Sequence, residues 1–174
     1  METATRPSIK DIWRWLGEVP DPEIPVVSVT DLGIVRDVGW DGDTLVVTVT
    51  PTYSGCPATS VISLDIEQAL NGKGIERVRL ERRLSPAWTT DWISTEARQK
   101  LNAYGIAPPI DGIAADGRLL KRSERLSGGS NLSVACPRCG SVRTEKISQF
   151  GSTPCKASYR CSDCLEPFDY FKCI

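Results

Sequence analysis

Two cysteine pairs near the C-terminus, Cys136-Pro-Arg-Cys139 and Cys161-Ser-Asp-Cys164, have the spacing that brings two sulfurs to one metal ion. In such a turn the nearby backbone N–H groups swing toward the thiolates and disperse their charge. Gly140 suits the tight turn that a knuckle of this kind needs. The gap between the pairs is 21 residues, just over the common upper spacing of about 20. Four thiolates leave no open coordination position, so the expected ion is a structural zinc rather than a catalytic one. An iron–sulfur cluster on the same sulfurs and a redox C-x-x-C are the competing chemistries. Cys155 and Cys173 are left over. They pack beside the site, form a second thiol pair, or replace a ligand.

A separate thiol stands at Cys56, in Pro51-Thr-Tyr-Ser-Gly-Cys-Pro57. This stretch joins a predicted strand to a predicted helix, with Pro57 at the first helical position. Unpaired N–H groups and the helix dipole favour a thiolate there. Ser54 and Thr59 are available donors, and Gly55 allows a partner or metal to approach closely. Asp21, Glu23 and Asp31 are the candidate polar neighbours, and each also suits a turn or cap. A half-buried cysteine that merely packs accounts for Cys56 equally well. Trp88 and Trp92 read as packing residues rather than stacking platforms.

Composition narrows the chemistry further. The 174 residues include seven cysteines and no histidine. That excludes His-based triads, His general bases and His-ligated metal sites. A thiol-dependent enzyme lacks a visible general base, so the chain reads as an accessory protein rather than an enzyme. The N-terminus has no apolar core and no run of about 18 apolar residues occurs, so a cytoplasmic protein with reduced thiols and no membrane contact is expected. Residues 1–117 carry 11 basic and 17 acidic side chains, against 10 basic and 5 acidic in 118–174. The asymmetry suggests two modules. The basic tail permits nucleic-acid binding, but no aromatic–basic interleaving supports it.

The elements that must position these residues follow from periodicity. Ser8 to Val19 reads as an amphipathic helix, and Pro20 to Pro25 cannot be helical. Residues 34–40 and 44–50 read as a hairpin turning at Asp41-Gly42, with Leu45, Val47 and Val49 on one face. Ala58 to Asn71 reads as a helix with a broad apolar side that includes Val61, Ile62, Leu64, Ile66 and Leu70. A third strand over 75–82, with Val78 and Leu80 inward, and a helix from Ser94 to Tyr104 complete an α-β-β-α-β-α order. This predicts an α+β fold: a small two-layer α/β sandwich with an antiparallel or mixed sheet, plus a C-terminal zinc ribbon. The expected domains are 1–110, a linker over 111–133, and the Cys₄ ribbon over 134–174.

Asp21-Pro-Glu-Ile-Pro25, Asp31-Leu-Gly-Ile-Val35 and Thr50-Pro-Thr-Tyr-Ser-Gly-Cys-Pro57 resemble the iron–sulfur cluster assembly domains that include the SufT-type proteins. The stretches from Pro86 to Thr89 and from Gly105 to Pro109 look like the same family. The tail, Phe150-Gly-Ser-Thr-Pro-Cys-Lys156 and Cys161 to Cys173, is similar to the D-protein family of phenylacetate degradation, which belongs to the phenylacetyl-CoA epoxidase system. The resemblance implies helices on one face of an antiparallel sheet, with Cys56 at the position of the family's reactive cysteine. It further implies a maturation role for an iron–sulfur or di-iron centre, with transient iron or cluster carriage. The implied partners are the epoxidase's reductase or di-iron oxygenase subunit. A non-catalytic accessory subunit of that complex is the alternative, and a homodimer is compatible with either.

Overall fold

The computed structural model describes residues 6–110 and 133–172, so Cys173 and all of the expected linker except Ser133 lie outside it. The described chain falls into two compact units divided between Trp88 and Thr89.

In the first unit, helix α1 (Ile9–Leu16) starts where the periodicity places it. The Ser8 hydroxyl accepts the Asp11 N–H and donates to the Asp11 carboxylate, capping donors that the first turn leaves unpaired. The helix buries Ile12 and Leu16. Strands β1 (Val35–Asp41) and β2 (Thr44–Val49) form the predicted hairpin, and Gly42 at its tip takes a φ of +57°. Leu45, Val47 and Val49 are buried, as alternation requires.

Helix α2 (Thr59–Asn71) then carries the chain back, and β3 (Val78–Arg82) pairs parallel with β2. The sheet order is β1-β2-β3 and the sheet is mixed, not the purely antiparallel one implied by the resemblance. A parallel partner needs such a helical crossover. β3 lies at the sheet edge, so Val78 and Leu80 are only half-buried. The expected broad apolar side of α2 is corrected to a narrow one. Ile62, Ile66 and Leu70 pack inward, whereas Val61 and Leu64 are 46% and 52% exposed. The proline-rich segment after α1 is turn-rich as expected, yet it contributes core: Ile24, Val27 and Val29 are buried, and Pro20 bridges to Ser28. Trp88 is buried and donates its indole N–H to the Leu32 carbonyl at 2.8 Å.

In the second unit a 3₁₀ turn (Thr90–Trp92) leads to α3 (Thr95–Tyr104). Ser94 caps the helix through the Ala97 N–H at 3.0 Å, and Gly105 ends it at φ +99°. The chain continues directly into β4 (Ile106–Ala107), which runs parallel to the strand contributed by the C-terminal tail. That tail supplies β5 (Thr144–Ser148), β6 (Lys156–Cys161) and β7 (Pro167–Phe171), giving the order β4-β7-β6-β5. The residues from Thr89 to Ile110 thus pack in the ribbon's unit. Its core joins Ala107, Val134 and Phe168 to two of the cysteines, Cys136 and Cys161, with Tyr159 stacked on Phe168 at 5.8 Å.

The two faces of α2 make a direct comparison. Ile66→Ala should destabilise the first unit by about 2–5 kcal/mol. Leu64→Ala, on the solvent side, should change stability by less than about 0.5 kcal/mol. Urea denaturation monitored by circular dichroism reads both.

Candidate metal centre and the Cys56 loop

The four thiols of the two C-x-x-C turns converge. Cys136 Sγ lies 3.7 Å from Cys164 Sγ, and Cys139 Sγ lies 3.6 Å from Cys161 Sγ. All four sulfurs fall within 4.8 Å of one another. A disulfide would need about 2.05 Å, so these are not bonded pairs. A tetrahedron with metal–sulfur bonds of about 2.3 Å has sulfur–sulfur edges near 3.8 Å. The cluster therefore has the dimensions of a single tetrahedral ion.

The two turns are built alike. The Cys136 N–H donates to the Ser141 carbonyl at 2.9 Å, and the Cys161 N–H donates to the Glu166 carbonyl at 3.0 Å. Each turn places the residue after its second cysteine in the left-handed region, Gly140 at φ +74° and Leu165 at φ +63°. Glycine does this without strain, whereas leucine does not. The strained Leu165 escaped the sequence reading, although its position relative to Cys164 matches that of Gly140 relative to Cys139. Asp163 ties the turns together by accepting from the Ser141 hydroxyl and pairing with Arg143. The Ser162 N–H also donates to the Arg143 carbonyl at 2.8 Å.

Backbone N–H groups reach the sulfurs as a metal-thiolate turn requires. The Cys164 N–H, with help from the neighbouring thiols, holds the Cys161 thiol below its usual range. At Cys164 the Glu166 N–H pulls the other way, but burial and the thiols of Cys139, Cys161 and Cys136 outweigh it and push the group up to about 12. Four adjacent thiols cannot all ionise without a cation among them. Two of the four cysteines, Cys136 and Cys161, belong to the unit's apolar core, so a metal held there would couple its binding to folding.

Cys155 is buried outside this group, with its sulfur 3.0 Å from the Thr153 hydroxyl. Its carbonyl accepts the Lys172 N–H at 2.8 Å. Burial first, and then Lys146, lowers the Lys172 ammonium pKa, while Cys155 opposes the shift.

In the first unit Cys56 is half-buried at the end of the β2–α2 loop. Its N–H donates to the Tyr53 carbonyl at 3.2 Å, closing a turn over Ser54 and Gly55, both exposed. Its carbonyl accepts the Thr59 hydroxyl at 2.9 Å and the Thr59 N–H at 3.3 Å. The α-helix begins at Thr59 with Ala58 as its cap, so Pro57 precedes the first helical position by two residues. Two of the three candidate carboxylates cap backbone N–H groups. Asp21 Oδ1 accepts from the N–H groups of Glu23 and Ile24 at 2.9 and 2.8 Å. Asp31 Oδ2 accepts the Ser28 N–H while the Ser28 hydroxyl accepts the Asp31 N–H, both at 3.1 Å. Among the described residues, the ribbon's four cysteines form the group of three or more Cys, Asp and Glu ligands that converges on one point. Cys56, Asp21, Glu23 and Asp31 do not form another.

The knuckle geometry is testable by exchange. A Cβ at Gly140 would meet nothing within 4 Å, so Gly140→Ala isolates the backbone strain. It should destabilise the metal-bound ribbon by about 1–2 kcal/mol, and Leu165→Gly should relieve a similar strain. Chelator competition should accordingly extract metal more easily from the first variant and less easily from the second.

Comparison with known proteins agrees with this two-part construction. Residues 9–79 match the family model described as iron–sulfur cluster assembly protein, and residues 121–172 match the PaaD zinc beta ribbon domain. A protein of Escherichia coli (strain K12), provisionally named as the D component of 1,2-phenylacetyl-CoA epoxidase, is 48% identical over 174 residues, covering 100% of this chain and 98% of that protein. An Fe-S protein maturation auxiliary factor of Porphyromonas gingivalis (strain ATCC BAA-308 / W83) is 41% identical over 95 residues, covering 53% of this chain and 89% of that one. A DUF59 crystal structure from Bacillus anthracis aligns with a TM-score of 0.49 at 29% identity, over 53% of this chain and 89% of that one. With an assembly-type domain ahead of the ribbon and a full-length relative of the same design, the chain belongs to the PaaD family.

Proposed function

We propose that this protein is a maturation factor for an iron centre of the phenylacetyl-CoA epoxidase system. In this reading Cys56 carries iron or an iron–sulfur cluster as cargo, and the ribbon holds zinc as a structural ion. The observation that carries the reading is the placement of Cys56. It is half-buried beside exposed Ser54 and Gly55, inside the assembly-type domain and outside the four-thiol group. A single soft ligand at the surface holds iron weakly enough to release it. Transfer is then a ligand exchange. The bond from iron to Cys56 Sγ breaks as a client ligand binds; a client thiol gives up its proton to the Cys56 thiolate, and where the client ligand is a carboxylate the Cys56 thiolate takes a proton from water. Asp21, Glu23, Asp31 and Ser54 hold or flank the loops of this domain, and their role is to position it.

Zinc in the ribbon is supported by the closed four-sulfur donor set with tetrahedral edges. Among the described residues no helix is long and apolar enough to cross a membrane. A cytoplasmic setting would keep all seven thiols reduced. The epoxidase assignment is supported by the full-length relative named as a component of that enzyme, and the iron-delivery assignment by the relative named as an Fe-S maturation auxiliary factor.

The name of the full-length relative also favours a second reading, in which the protein is a stoichiometric, non-catalytic part of the oxygenase complex. Cys56→Ser separates the two. The maturation reading expects a folded variant that still joins its partners but leaves the reductase and oxygenase subunits short of iron. Iron content and epoxidase activity of the co-produced complex measure this. Full iron loading with Cys56→Ser would remove Cys56 from the mechanism and leave the accessory-subunit reading.

A further inference from the structure

The solvent side of α2 has a composition that its packing does not explain. The helix buries Ile62, Ile66 and Leu70, which lie along one line of its surface. Val61 and Leu64 lie on the opposite line, 46% and 52% exposed, where a helix of this amphipathic kind ordinarily carries polar residues. At 100° per residue, Val61, Leu64 and Gln68 form one strip, which starts in the first turn of the helix after the Cys56 loop. Asp65 and Glu67 fall on its two flanks. Between Thr59 and Asn71 there is no lysine or arginine, and Lys73 just beyond is paired with Glu18 at 3.6 Å. The strip is therefore apolar at its centre and acidic at both margins.

We infer that this strip is the docking surface for the client metalloprotein, and that the client presents an apolar patch rimmed by lysine or arginine. The inference rests on the maturation reading for the client's identity and deepens it by naming the contact. Charge complementarity selects the occupant. An acidic rim around exposed valine and leucine repels a partner of like charge, steers a basic one, and leaves the apolar pair to supply the contact energy. Because the strip starts in the first turn of the helix after the Cys56 loop, a partner seated on it lies near the thiolate that would exchange its cargo. An exposed thiol ligand gains specificity in this way without a closed metal site.

The test titrates the full-length protein against the purified, iron-free reductase and oxygenase subunits of the epoxidase by calorimetry, at low and at moderate salt. Four forms are compared: wild type, Val61→Asp/Leu64→Asp, Asp65→Lys/Glu67→Lys and Cys56→Ser. All altered positions are at the surface or in the loop, and matching melting curves confirm folding. The expectation is that wild type binds one of the two subunits more weakly as salt rises. The apolar double variant should lose roughly tenfold or more in affinity. The charge-reversed variant should weaken binding and flatten its salt dependence. The inference is overturned if wild type binds neither subunit, or if the apolar variant binds unchanged. It is equally overturned if these substitutions instead abolish a self-association seen by light scattering, which would make a second copy the occupant. Failure of the maturation reading looks different: Cys56→Ser loads the client fully while the docking variants still lose binding.

Discussion

Four thiolates cannot share a volume in which every sulfur lies within 4.8 Å of the others unless a cation sits among them. At an effective dielectric near 20, two unit charges about 4 Å apart repel by about 4 kcal/mol, and four charges make six such pairs. A net folding stability of about 5–15 kcal/mol could not offset that. The second unit is arranged around this constraint. Cys136 and Cys161 are core residues next to Ala107, Val134 and Phe168, so the sulfurs help to hold β6, β7 and β4 together. The paired turns, the Asp163 contacts with Ser141 and Arg143, and the strained Leu165 all serve to bring the sulfurs to one point. A divalent ion on four cysteines contributes about 10–16 kcal/mol at neutral pH, enough to fold a sheet this small around it.

Cys56 is the opposite case. It is one thiol whose N–H and carbonyl both make main-chain hydrogen bonds, and among the described residues it belongs to no group of three or more converging ligands. The nearby sequence motif does contain carboxylates, but one oxygen of each of Asp21 and Asp31 accepts backbone N–H groups. Asp21 and Asp31 thus hold their loops, and in the proposed function the domain's metal chemistry rests on a ligand that binds only in company with another molecule. In the proposed function, permanence at the ribbon and exchange at Cys56 are two outcomes of the same sulfur chemistry, decided by how many thiols the fold brings together.

How much of this is legible in the sequence depends on how local the cause is. The C-x-x-C turns, the Asp41-Gly42 hairpin and the helix starts at Ser8 and Ser94 are set by residues within a few positions of one another, and all appear where expected. The parallel pairing of β3 is not local, since it depends on α2 returning the chain to the far side of β2. The exposure of Val61 and Leu64 was hidden because hydrophobic character alone does not say which side of a helix meets the sheet. The pairing of β4 with β7 joins residues more than 60 positions apart and left no periodic trace in a two-residue strand. At the candidate site, the convergence of the four ribbon cysteines was readable from spacing. The capping duties of Asp21 and Asp31 were not, because the same residue types serve as turns, caps and metal ligands.

The most direct measurement is metal and acid-labile sulfide analysis of the protein purified without oxygen, for wild type and Cys56→Ser side by side. The account predicts one zinc per chain in both, with iron, and sulfide if the cargo is a cluster, present only in wild type. Iron retained by the Cys56→Ser protein, or zinc lost along with it, would contradict the division between a permanent site in the ribbon and an exchanging one at Cys56.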